Sequence, residues 1–179
     1  MDFKRRKFLL NIVSGFVTVG ALAYLFPFFR GLIPDFEINT ALDIDLSDMK
    51  EGESRIVRWL GRNVLVVKRD PAKVGLEEKK DHGLRDPFSL YSKQPSFAKN
   101  KRRSRRPEHL LVYSACTFFS CEVKLVRDVF FEGFECPCDG SCFDIAGRVK
   151  EGSVAQFNLV VPYYEYLSEN IIRLMDKSY

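Results

Sequence analysis

The pattern of apolar and polar positions divides the chain into three regimes. From Phe8 to Phe29 no residue carries a charge. As a helix this run spans about 33 Å, enough to cross a hydrocarbon core of about 30 Å. After Arg30 the periodicity stops, and "GLIPDFEINTAL" reads as a linker. Beyond it come short apolar runs punctuated by turn residues. Ile56, Val57, Trp59 and Leu60, then Val64 to Val67, predict two strands joined at Gly61-Arg62-Asn63. Asp70 as N-cap and Pro71 at the first helical position predict a short helix to Lys80. Residues 81–108, rich in Gly, Pro and Ser, predict a surface loop. "HLLVYSAC" is a strand, and "EVKLVRDVFFEGFECPC" predicts a strand, a turn at Gly133 and another strand. A hairpin follows at Ala146-Gly147, and two strands flank Ser168-Glu169-Asn170. No internal repeat is visible. Short strands at this density predict an all-β sandwich or small barrel behind a single N-terminal transmembrane helix. The predicted divisions are residues 1–30 as anchor, 31–43 as linker and 44–179 as the β domain.

Length and charge refine the picture. At 179 residues the chain holds an anchor and one domain of ordinary size. The formal charge of +4 is concentrated in the first seven residues and in "KNKRRSRR", Lys99 to Arg106. The second cluster is expected to be a solvated loop, or a contact for acidic headgroups or an acidic protein partner. Arg5 and Arg6 ahead of the apolar run resemble a twin-arginine export signal, which argues against a nucleic-acid partner. Ala21-Leu22-Ala23 has the small-x-small form of a cleavage site, but the apolar run continues through "YLFPFF", so retention as an anchor is expected. The basic end stays inside. The expected topology is a single pass of the cytoplasmic (inner) membrane, with the C-terminal domain on the periplasmic side, where disulfides form.

Five cysteines, all between Cys116 and Cys142, point to a metal site, a local disulfide or both. They fall in two loops, "SACTFFSC" and "FECPCDGSCFD". His82 and His109 precede both loops and are expected to be plain surface or strand-edge residues.

"CTFFSC" at Cys116–Cys121 and "CPCDGS" at Cys136–Ser141 resemble the C-T-H-L-G-C and C-P-C-H-G-S loops of the Rieske iron–sulfur subunit of quinol–cytochrome c reductase (the cytochrome bc complex). "LRDP" at Leu84–Pro87, Gly147-Arg148 and "VPYYEYLSENIIRL" extend the resemblance along most of the chain. It implies a Rieske-type antiparallel β-sandwich with its cluster-binding part at about residues 113–157. It also implies electron transfer from quinol through a 2Fe-2S cluster to cytochrome c, with cytochrome b and cytochrome c subunits as partners. Cys116 and Cys136 match the family's cysteine ligands to one iron. Cys121 and Cys138 match its disulfide, and Ser141 matches a serine that hydrogen-bonds toward the cluster. No catalytic residue is assigned.

The two positions matching the family's histidine ligands are Phe118 and Asp139. Phenylalanine offers no lone pair, and a carboxylate is a harder donor than imidazole. Phe143 replaces a tyrosine, and Gly152-Ser153-Val154-Ala155 replaces a proline-rich covering loop. Cys142 has no counterpart. Three readings stay open. One is a retained cluster, including an all-cysteine centre that would sacrifice the disulfide. The second is another metal. The third is a cluster-free structural or assembly subunit on a Rieske fold.

Overall fold

The computed structural model describes residues 3–32, 40–77, 79, 82–128 and 131–177. The chain separates into two units, Met1–Asn39 and Thr40–Tyr179. In the first, α1 (Phe3–Leu32) is a 30-residue helix. Its segment Phe3–Pro27, of mean hydropathy 1.9, is long and apolar enough to cross a membrane. Of the expected linker 31–43, residues 33–39 lie outside the described residues. Its last two residues belong to a strand rather than to the linker.

The described residues of the second unit form nine strands in three antiparallel sheets. The first sheet orders β1 (Leu42–Asp45), β9 (Ile171–Leu174) and β8 (Tyr164–Tyr166). The second orders β2 (Ser54–Trp59), β3 (Arg62–Lys68) and β4 (His109–Tyr113). The third orders β5 (Lys124–Arg127), β6 (Glu132–Glu135) and β7 (Cys142–Asp144). β2 alternates exposed and covered positions, as a half-solvated strand does, whereas all of β4 is buried. The core runs through all three sheets: Val64, Val66, Leu110, Val112, Phe134, Phe143, Ile172 and Leu174 have 2% exposure or less.

Two local expectations are corrected. The β2–β3 turn is Leu60-Gly61, both at positive φ (47° and 72°), so Arg62 and Asn63 are already paired with Trp59 and Arg58. Two left-handed residues match the strands' own twist, which a hairpin of two loop residues requires. Gly133 is not a turn residue. It lies inside β6, opposite Asp144 of β7. The short helix α2 (Pro71–Glu77) forms with Asp70 Oδ1 accepting from the Ala72 N–H at 2.8 Å, and residues 78, 80 and 81 lie outside the described residues.

The segment 82–108 is the largest correction. It packs into the domain as a polar belt rather than lying in solvent. Asp86, Ser89, Ser92, Gln94, Ala98, Arg103 and Ser104 are all buried. The Asp86 carboxylate accepts from the backbone N–H groups of Leu90, Tyr91 and Ser92. Arg103, in the middle of the basic run, is fully buried and donates to Gln94 Oε1 and to the carbonyls of Gly147 and Leu159. Burial pushes its guanidinium down to about 9, still charged at neutral pH. A guanidinium with five donors is tolerated there because carbonyls surround it. Arg105 stacks on Phe97 at 3.9 Å and donates to the Tyr164 carbonyl. Part of the positive charge expected at the surface therefore ties the 82–108 belt to the carbonyls of Gly147, Leu159 and Tyr164.

Candidate metal centre

Two loops of matching construction stand side by side. The first, 116–121, is closed by the Ala115↔Glu122 bridge that follows β4. The second, 136–141, is closed by the Glu135↔Cys142 pair of β6 and β7. In the first, the Cys116 N–H donates to the Cys121 carbonyl and the Ser120 N–H to the Cys116 carbonyl, at 2.8 and 3.0 Å. In the second, the Cys136 N–H donates to the Ser141 carbonyl and the Gly140 N–H to the Cys136 carbonyl, both at 2.9 Å. Ser120 and Gly140, each four residues into its loop, both take positive φ. The sequence spacing shows two similar loops, but not that their hydrogen bonds superpose.

A disulfide joins Cys121 to Cys138, with Cα atoms 6.4 Å apart. Cys116 and Cys136 are buried, unpaired thiols. Their sulfurs and a carboxylate oxygen of Asp139 lie within 4.8 Å of one another. Asp139 Oδ1 accepts from the Ser141 N–H at 2.8 Å, while Cys116 Sγ donates to Oδ2 at 3.5 Å. The Ser141 hydrogen bond, above all, holds the Asp139 carboxyl below its usual pKa. Burial pushes the Cys116 thiol up to about 12. In neutral solution the group is thus a protonated thiol against a carboxylate. Cys142, half-buried, places Sγ 3.5 Å from the Gly140 carbonyl and belongs to neither group of converging donors.

A third segment covers the loops. The buried Ser141 Oγ accepts from the Ala155 N–H at 2.9 Å, and Thr117 Oγ1 donates to the Phe157 carbonyl at 2.6 Å. Ser153 Oγ accepts from the Cys142 N–H and donates to its carbonyl. Phe143 is fully buried in β7 opposite Phe134. Phe118 is 45% exposed, with its ring 4.1 Å from that of Phe119, which is 67% exposed. Val154 and Phe157 add exposed apolar side chains to the covering segment. The histidines are elsewhere. His109 is buried on β4 opposite Lys68, with Nδ1 3.0 Å from the Tyr166 hydroxyl, and His82 is exposed after α2. Beside the first loop a cleft of about 300 Å³ is lined by Arg62, Tyr91, Tyr113, Cys116, Thr117 and Phe157, among others.

An antiparallel β domain that presents two disulfide-joined cysteine loops, roofed by a third segment, has the Rieske architecture. No family model matches the sequence, but individual relatives do. The chain is 34% identical to the ubiquinol-cytochrome c reductase iron-sulfur subunit of Allochromatium vinosum, over 94% of this chain and 86% of that one. It is 34% identical to the same subunit of Blastochloris viridis, over 95% and 92% of the two chains. It therefore belongs to the family of Rieske iron–sulfur subunits of ubiquinol–cytochrome c reductase. Among solved structures, a chain of a hyperthermophilic respiratory Complex III is 18% identical, over 89% of this chain and 96% of that one, with a TM-score of 0.49.

Proposed function

We propose that the chain is the Rieske-fold subunit of a bc-type quinol–cytochrome c reductase and docks there without carrying a histidine-ligated cluster of its own. Its partners are the cytochrome b and cytochrome c subunits. α1 holds it in the cytoplasmic membrane, and the domain stands on the periplasmic side, reached by way of the Arg5-Arg6 export signal. Family membership supports the assembly and its respiratory setting. The donor set supports the missing cluster.

The family implies a 2Fe-2S group in which two imidazoles replace two thiolates on one iron. Three donor atoms converge here, the sulfurs of Cys116 and Cys136 and an oxygen of Asp139. Phe118 supplies none and turns its ring toward solvent. These residues do not fit a Rieske cluster, and no imidazole stands ready to take a proton from quinol. What remains is a docking module. Phe118, Phe119, Val154 and Phe157 expose apolar surface at the end of the domain that carries the loops, as a contact surface does.

The test is composition and spectrum. The full chain, purified in detergent from its native membrane, should contain neither iron nor acid-labile sulfide and should co-purify with cytochromes b and c. Two irons and two sulfides per chain, with a rhombic paramagnetic resonance signal after reduction, would overturn the reading. The sulfurs of Cys121, Cys136 and Cys138 also lie within 4.8 Å of one another. An all-cysteine centre at these sulfurs would show itself as iron bound only once the disulfide is open.

A further inference from the structure

We propose that Cys116 Sγ, Cys136 Sγ and Asp139 Oδ2 form a three-ligand site for a single divalent ion of the zinc class, with its fourth position open. The inference rests on the absence of a cluster argued above and assigns those residues a different occupant.

The geometry supplies the first argument. With metal–sulfur and metal–oxygen bonds of about 2.3 and 2.1 Å, a tetrahedral centre has an S···O edge of roughly 3.6 Å. Cys116 Sγ and Asp139 Oδ2 are 3.5 Å apart. The remaining donor separations, all within 4.8 Å, need to close by about 1 Å at most to reach the S···S edge of roughly 3.8 Å.

Preorganisation supplies the second. Asp139 is fixed through its other oxygen by the Ser141 N–H, so Oδ2 keeps its lone pairs directed at Cys116. Each thiol sits at the head of a hydrogen-bonded loop, and the Cys121–Cys138 disulfide ties the loops together. Outer contacts of this kind orient ligands and raise affinity. With that disulfide closed, Cys121 and Cys138 cannot act as thiolates, so only three donors are available. A pair of irons needs more than three protein ligands. One ion does not, since three protein ligands and an open position make a complete arrangement for zinc.

Charge and softness supply the third. Two thiolates and one carboxylate suit a borderline divalent ion, whereas a monovalent soft ion would leave the carboxylate unused. Loading displaces the two thiol protons to solvent, with no change in oxidation state. Cys116 and Thr117 form part of the wall of the 300 Å³ cleft, which gives an ion a path to the site.

The test uses Co²⁺ on the full chain in detergent, stripped of metal under anaerobic conditions with the disulfide intact. One equivalent should produce tetrahedral ligand-field bands and a sulfur-to-cobalt charge-transfer band, both erased by Zn²⁺. Zn²⁺ should also raise the melting temperature. Cys136→Ser should halve the charge-transfer intensity, and Cys142→Ser should leave it unchanged. Asp139→Asn, at a half-buried position and with an Oδ1 that can still accept from the Ser141 N–H, should weaken Co²⁺ binding at least about tenfold. The site is refuted if no charge-transfer band appears, if Asp139→Asn binds as tightly as the parent, or if binding occurs only after disulfide reduction. The two readings fail separately. Iron and sulfide in the chain as isolated refute the cluster-free reading before any cobalt is added, while a clusterless chain that ignores Co²⁺ refutes only the zinc-class site.

Discussion

His109 has the side chain that the cysteine loops lack, but it sits where it cannot serve them. It is 2% exposed at the start of β4, with Nδ1 against the Tyr166 hydroxyl and no hydrogen-bond partner for Nε2 among the described residues. Burial, above all, lowers its pKa from the ordinary value near 6.5. Above about 6.5 the imidazole is neutral in both folded and unfolded chains and contributes nothing. Below it the unfolded chain takes a proton that the fold refuses, so stability is lost as the pH falls. Between pH 7.5 and 5.5 the loss should reach at most about 1.4 kcal/mol, the limit for one such proton across that window. Denaturant midpoints at the two pH values should show it, and His109→Gln should flatten the dependence even if it lowers stability overall. The sequence alone placed His109 outside the site, since it precedes both loops. Its burial was not legible, because that depends on β8, more than fifty residues away. Asp139 is the reverse case. Its residue type marked it as a weak ligand, and its bond to the N–H two residues on is a local Asx turn of the kind Asp-Gly-Ser favours, but its contact with Cys116, twenty-three residues earlier, was not legible. Arg103 was hidden by its neighbours, because a run of basic residues reads as solvated whichever member points inward.

At the scale of elements, the strands were legible and their turns less so. Alternation and β-branched runs locate β2, β3 and β4, while turn position depends on which residues accept positive φ. Leu60 does so here, against its usual preference. Gly133 reads as a turn by composition, yet the strand needs it for another reason. A Cβ there would lie 2.1 Å from the Phe143 carbonyl oxygen, a backbone atom that cannot swing aside. Gly133→Ala should therefore force β6 and β7 apart and destabilise the domain by about 1–3 kcal/mol. Chemical denaturation measures the cost directly. Because β6 leads straight into Cys136, the same change should also lower Co²⁺ affinity at the cysteine loops. An alanine variant as stable as the parent would mean that the strands already stand further apart than described. The two cysteine loops have matching hydrogen bonds but reach them with different residues. Gly140 adopts its left-handed conformation freely, whereas Ser120 adopts the same one with a side chain.

For the whole molecule, α1 and the β domain are distinct units with distinct solvents. The full chain should resist alkaline carbonate extraction, and its domain should be open to protease added from the periplasmic side. A soluble mature form beginning near Tyr24 would show that the anchor is cleaved. The domain holds Cys116 and Cys136 as buried unpaired thiols, joins Cys121 to Cys138, and fastens the covering segment through Ala155 to Ser141 and through Phe157 to Thr117. On the proposed reading, the two positions that bear on ligation are Phe118 and Asp139. If they alone separate this chain from a cluster carrier, Phe118→His together with Asp139→His should restore one. Asp139 already places a side-chain oxygen 3.5 Å from Cys116 Sγ, so position 139 faces the site. At position 118 the side chain must turn inward from its present exposure, which iron–nitrogen bonding can drive. The double variant, assembled in a host that builds Rieske clusters, should hold two irons and two sulfides and give a rhombic resonance. Each single variant should hold little iron, because three ligands leave one iron open. If the double variant also stays empty, the frame has diverged further than its ligands. Phe143, fully buried and without a hydroxyl, and the covering residues Gly152–Ala155 are then the next positions to vary.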